Sequence, residues 1–80
     1  MEIQEFIEHF AGQFDDTPVE DFKCETKFRE LEEWSSLTAL SIIAMVDEEY
    51  DVILKGDEMR KAETIGELFK IVKSHKDGAA

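Results

Sequence analysis

Cysteine is almost absent from this 80-residue chain, and the lone Cys24 excludes an internal disulfide and a cysteine pair for zinc. It reads as a half-buried loop thiol. Basic residues are also scarce: nine Lys and Arg stand against twenty Asp and Glu, a formal charge of −11. Such a surface repels nucleic acid and anionic membrane and favours partners with basic patches. No apolar run approaches the roughly 18 residues that a bilayer span needs, so membrane insertion is not expected. Met1-Glu2-Ile3-Gln4-Glu5 lacks the basic start and apolar stretch of a signal peptide, which makes a cytoplasmic protein the simplest expectation. There are two histidines, His9 and His75, one near each end. Both read as solvated surface residues. A serine nucleophile needs a base within reach and a group to orient that base, so no catalytic residue is assigned and an enzyme is not expected.

What the chain does have is apolar surface. Hydrophobic residues make up 42% of it and include six Phe, enough for one core in a chain too short for two. Between Glu2 and Phe14, Ile3, Phe6, Ile7, Phe10 and Phe14 recur at intervals of three and four, with Glu2, Glu5 and Glu8 on the other face. The spacing predicts an amphipathic helix ending near Asp15-Asp16. Thr17-Pro18-Val19-Glu20 is a fresh start signal with a capping hydroxyl and a proline at the first helical position, predicted to open only a short turn. From there to Trp34 the pattern is a long ordered connection anchored by Val19, Phe22, Phe28 and Leu31.

A second long helix is predicted from about Ser36 to Tyr50. At 100° per residue its apolar arc covers roughly 220°, wider than one core-facing stripe requires. Ala39, Ile42, Ile43, Val46 and Tyr50 form one side of the arc, assigned to the core. Leu37, Leu40 and Ala44 form the other, near the bearing of Ser36 and Asp47, and either meet a ligand or partner or are simply buried. Val52-Ile53-Leu54 has no second strand pattern to pair with and reads as a buried connector. Asp57 is the expected cap of a short helix through Met59 and Arg60. Thr64-Ile65-Gly66-Glu67 is a capping box opening a final helix whose apolar stripe is Ile65, Leu68, Phe69 and Val72. Lys70, Lys73, His75 and Lys76 place positive charge at its negative end. The fold expected is all-α, a small antiparallel four-helix bundle of three long helices and one short one with a long first loop. Residues 1–75 form the single domain and 76–80 a frayed tail.

Asp47, Glu49, Asp51 and Glu58 fall at positions 1, 3, 5 and 12 of an EF-hand-like window, but Val52 occupies the position that needs Gly, and Asp47 through Tyr50 continues a helix. A solvated acidic face explains these charges, and no metal ligand is assigned. Trp34-Ser35-Ser36-Leu37 places a serine pair at a helix start, where unpartnered N–H groups and the positive end of the helix dipole suit a phosphate ester. The same position is the usual place for a serine N-cap.

Over nearly its full length the chain resembles the acyl carrier protein family. Phe28-Arg29-Glu30-Leu31 followed by Trp34-Ser35-Ser36-Leu37 is similar to the family's approach to its Asp-Ser-Leu signature. The ungapped spacing from Ser36 to Asp47-Glu48-Glu49-Tyr50-Asp51 is similar to its acidic helix end. Thr64-Ile65-Gly66-Glu67-Leu68 resembles the Thr-Val-Gly-Asp that opens its last helix. The resemblance implies that Ser36 receives 4'-phosphopantetheine from coenzyme A through a separate, magnesium-dependent phosphopantetheinyl transferase. The arm's thiol would carry acyl groups as thioesters for fatty-acid or related polyketide or specialised lipid biosynthesis. It also implies that Leu37, Leu40, Ala44, Asp47 and Glu48 face acyl-processing enzymes with basic docking patches, the carrier itself being a monomer. The family's aspartate before the serine is Ser35 here, and acidic residues often found early on its second helix are Thr38 and Ser41. The alternative is an unmodified acidic adaptor of the same shape that binds partners through the second helix.

Overall fold

The computed structural model describes residues 2–77. Among them are four α-helices, α1 (Ile3–Ala11), α2 (Ser36–Tyr50), α3 (Gly56–Lys61) and α4 (Ile65–Asp77), and no strand. The protein is an all-α bundle. α1 meets α2 and α4, α2 meets α4, and the short α3 packs on α4.

α1 stops earlier than its apolar spacing predicts. Gly12 follows its last residue, and a glycine inside a helix costs about 1 kcal/mol relative to alanine. The chain then tightens, Gln13 N–H bonding the Phe10 carbonyl at 3.1 Å and Phe14 N–H the Ala11 carbonyl at 3.0 Å. That turn folds Phe14 back into the core. Phe6, Phe10 and Phe28 are fully buried together with Ile42, Val46, Ile65, Leu68 and Val72. Each side chain of this size contributes about 1.5–3 kcal/mol by leaving water. Ala39 and Ile43 only flank the core, and Met45, absent from the predicted stripe, is inside it.

The long connection between α1 and α2 is ordered by its own contacts. Single 3₁₀ turns form at Val19–Asp21 and Phe28–Glu30. Phe22 and Phe28 anchor it as expected and Leu31 is half-buried, but Val19 is exposed. Pro18 precedes the first turn rather than opening it, and the Thr17 hydroxyl bonds the Glu33 carboxylate instead of capping the turn. Where the connection passes α4, its carbonyls serve that helix's unpartnered N–H groups: Ile65 N–H bonds Thr26 O at 3.1 Å and Gly66 N–H bonds Cys24 O at 2.8 Å. Gly66 is needed there, because a Cβ would stand 3.0 Å from that same Cys24 oxygen. An isolated antiparallel bridge joins Lys27 and Thr64 alongside. Cys24 itself is exposed, not half-buried, because its backbone rather than its side chain makes the contact.

α2 spans the predicted residues and ends at Asp51, whose φ of 59° is a left-handed conformation that aspartate tolerates. The following connector alternates: Val52 and Leu54 are buried, while Ile53 is 72% exposed, against the prediction that all three are covered. α3 is capped by Glu58 rather than Asp57, the Glu58 carboxylate accepting from Lys55 N–H at 3.1 Å. In the box that opens α4, Thr64 Oγ1 accepts from Glu67 N–H at 3.2 Å, while the Glu67 carboxylate accepts from Glu63 N–H at 2.7 Å, one residue before the predicted donor. α4 runs through Asp77, so the expected tail does not begin at residue 76; Gly78 to Ala80 lie outside the described residues. Lys76 Nζ donates to the Tyr50 carbonyl at 3.1 Å and closes the end of α2.

Candidate functional site

The start of α2 is held by the connection that leads to it. Trp34, half-buried, packs its ring 5.0 Å from Phe28, which in turn lies 5.5 Å from Phe10 of α1. The Glu33 carboxylate accepts from the backbone N–H groups of Asp15 and Asp16, both at 3.1 Å, and from the Thr17 hydroxyl. The Thr17 hydrogen bond, followed by those N–H groups, holds the Glu33 carboxyl below the usual carboxylate range. Thr38 Oγ1 donates to the Glu33 carbonyl at 2.9 Å, tying the first turn of the helix to the same residue.

The two serines have different surroundings. Ser35 is the N-cap: its Oγ accepts from Thr38 N–H at 3.3 Å and lies 3.1 Å from Thr38 Oγ1. Ser36 is the first helical residue, exposed, and its hydroxyl bonds no described residue. Neither histidine is near it. His9 Nδ1 lies 2.9 Å from the Tyr50 hydroxyl, at the far end of α2 and about 21 Å along the helix axis from Ser36. It is half-buried there rather than solvated, with Nε2 3.8 Å from Glu49. His75 contacts the Glu58 carboxylate on α3.

Leu37, Leu40, Ala44, Asp47 and Glu48 are all exposed and share the outer face of α2 that continues from Ser36. Leu37 is 76% and Leu40 61% exposed, so the outer side of the wide apolar arc is not simply buried. Beside Ser36 an open groove of about 620 Å³ runs between α2 and α3. Trp34, Ala39, Leu40, Ile43 and Met59 give it an apolar lining, and Arg29 and Arg60 also line it. Sequence reasoning missed this groove. Arg29, Ser36 and Met59 belong to separate segments, and no periodicity connects them.

An ester on Ser36 Oγ fits this setting: the oxygen is accessible, unshared and next to space, while Ser35 performs the capping. Among the described residues no group of three or more His, Cys, Asp or Glu is placed to hold a metal ion. No described helix is long and apolar enough to cross a membrane. Compared with protein-family models, curated proteins and solved structures, the chain matches none.

Proposed function

We propose that this chain is an acyl carrier, with Ser36 as the attachment point of 4'-phosphopantetheine. The observation that carries the reading is the division of labour between the serines: Ser35 Oγ caps α2, and Ser36 Oγ is exposed and unbonded at its first position. Among the described residues no base stands by that hydroxyl, so a separate phosphopantetheinyl transferase supplies one. Ser36 Oγ bonds the phosphorus on the pantetheine side of coenzyme A's pyrophosphate as the P–O bond to the other phosphate breaks, so that adenosine 3',5'-bisphosphate leaves and the hydroxyl proton passes to the transferase's base. The positive end of the α2 dipole favours the phosphodiester, while the Thr38 N–H stays with Ser35 Oγ. When bound, the arm supplies a thiol on which acyl groups ride as thioesters for fatty-acid, polyketide or specialised lipid synthesis.

In this reading the outer face of α2 docks acyl-processing enzymes. Leu37, Leu40 and Ala44 supply apolar contact, and Asp47 and Glu48 meet basic patches, with the charge of −11 steering encounter. The carrier works as a cytoplasmic monomer and catalyses nothing itself. A second reading, an unmodified adaptor, draws on the same exposed leucines, which need no arm to bind a partner.

Intact mass after incubation with coenzyme A, magnesium and a broad-specificity transferase tests the proposal. One added phosphopantetheine in the wild type and none in Ser36→Ala supports it. Loss of the gain with Ser35→Ala alone would move the site. No gain in the wild type favours the adaptor.

A further inference from the structure

The chain contains two arginines, and both line the groove beside Ser36. They come from different places, Arg29 from the 3₁₀ turn before Trp34 and Arg60 from α3, so sequence proximity does not explain their meeting. No described Asp or Glu lines the groove, although twenty of the eighty residues are acidic. Its charged lining residues are therefore both arginines, on an otherwise anionic protein, with the charge of Arg60 partly offset by its pairing with Asp57.

Arg29 is bonded to the Arg60 backbone, while the Arg60 side chain is 74% exposed and paired with Asp57. Arg29 Nη1 donates to the Arg60 main-chain oxygen at 2.9 Å, with its guanidinium carbon 5.9 Å from the Phe28 ring centroid. Arg60 Nη2 donates to Asp57 Oδ1 at 2.8 Å. Each bond uses one of five N–H donors and leaves the rest of a planar fork whose geometry matches a carboxylate. Lysine, the chain's other cation, offers no such fork.

We infer that this groove is a cargo site for short acyl groups ending in a second carboxylate. The methylenes lie on Trp34, Ile43 and Met59, and the distal carboxylate pairs with Arg29 and Arg60. A space of about 620 Å³ is within the range of small-molecule sites, and its apolar lining with two polar anchors is their usual construction. The inference rests on the carrier reading of Ser36 and adds the class of acyl group.

The transferase can load acyl arms directly from acyl-coenzyme A, so glutaryl and pentanoyl forms compare cargo of equal carbon number with and without the terminal charge. Intact mass confirms loading, and the melting temperature of each form is read against its own unmodified protein. The glutaryl form is expected to melt about 4 °C or more above the pentanoyl form. That difference disappears in Arg29→Gln/Arg60→Gln and is partly kept in Arg29→Lys/Arg60→Lys. Equal melting of the two wild-type forms overturns the inference, as does a difference that survives the glutamine substitutions. If those substitutions lower the melting of the arm without an acyl group just as much, the arginines hold the phosphodiester and the cargo assignment falls. No mass gain removes the carrier reading itself, before any melting comparison is made.

Discussion

The Tyr50 hydroxyl lies 2.9 Å from Nδ1 of His9, joining the last residue of α2 to the last turn of α1. Burial first, and then the charges of Glu5 and Glu49, push the Tyr50 phenol above its usual value near 10. A raised folded pKa stabilises the native state below the unfolded pKa, and that contribution is lost as pH rises through the folded value. Absorbance at 295 nm should therefore show the single tyrosine ionising above about pH 10, with unfolding favoured over the same interval. Glu49→Gln should lower the midpoint.

Glu33 has the opposite sign. Its carboxyl is held low by Thr17 and by the Asp15 and Asp16 N–H groups, so the clamp contributes stability above the ordinary carboxylate pKa and loses it as pH falls through the depressed one. Melting temperatures of the wild type and Glu33→Gln should differ at pH 6, and the difference should shrink as pH falls below the ordinary glutamate value of about 4.3 and through the depressed one. A constant difference across that range would remove Glu33 as the cause.

The two serines should separate in two assays. Ser35→Ala deletes the cap of α2 and should cost about 1 kcal/mol in chemical denaturation. Ser36→Ala removes a hydroxyl that bonds no described residue and should stay within about 0.5 kcal/mol of wild type, yet it should abolish arm transfer in the mass assay.

Phe10 is fully buried between Phe6, Phe14, Phe22 and Phe28. Phe10→Ala should cost about 3–5 kcal/mol, a large share of the stability of a domain this size. Because the Phe28 ring also meets Trp34, the fluorescence of that single tryptophan should shift in the same variant. An unchanged Trp34 signal would mean that the aromatic chain does not reach the start of α2.

Leu40→Glu places a charge where the side chain is 61% exposed, so the melting temperature should change little. Association with an acyl-processing enzyme should weaken at least tenfold if the outer face of α2 is the docking surface, a loss of about 1.4 kcal/mol or more. Equal affinity for wild type and variant by titration calorimetry would place docking elsewhere.

The helices were legible where pattern and burial coincide. Ile42, Val46 and Tyr50 on α2, and Ile65, Leu68 and Val72 on α4, repeat at helical spacing and are buried. The start of α2 at Ser36 could also be placed. Sequence did not show that Gly12 would end α1 early, since Phe14 keeps the helical spacing from a tightened turn. It missed the Glu33 clamp because a carboxylate among acidic residues looks solvated, and its three donors lie sixteen to eighteen residues away. Ile53 was misplaced because a short apolar run does not say that its middle residue points outward. Arg29 and Arg60 left one clue, that the chain has no other arginine.

The connection before Ser36 is closed on itself, Glu33 near its end bonding Asp15 and Asp16 near its start, and its middle is fastened to the first turn of α4 through the carbonyls of Cys24 and Thr26. In the carrier reading, an enzyme approaching Ser36 would meet a surface already in shape, with no segment of this connection to order on contact. Encounter there should be governed by diffusion and electrostatic attraction, so that raising ionic strength slows association far more than it speeds dissociation.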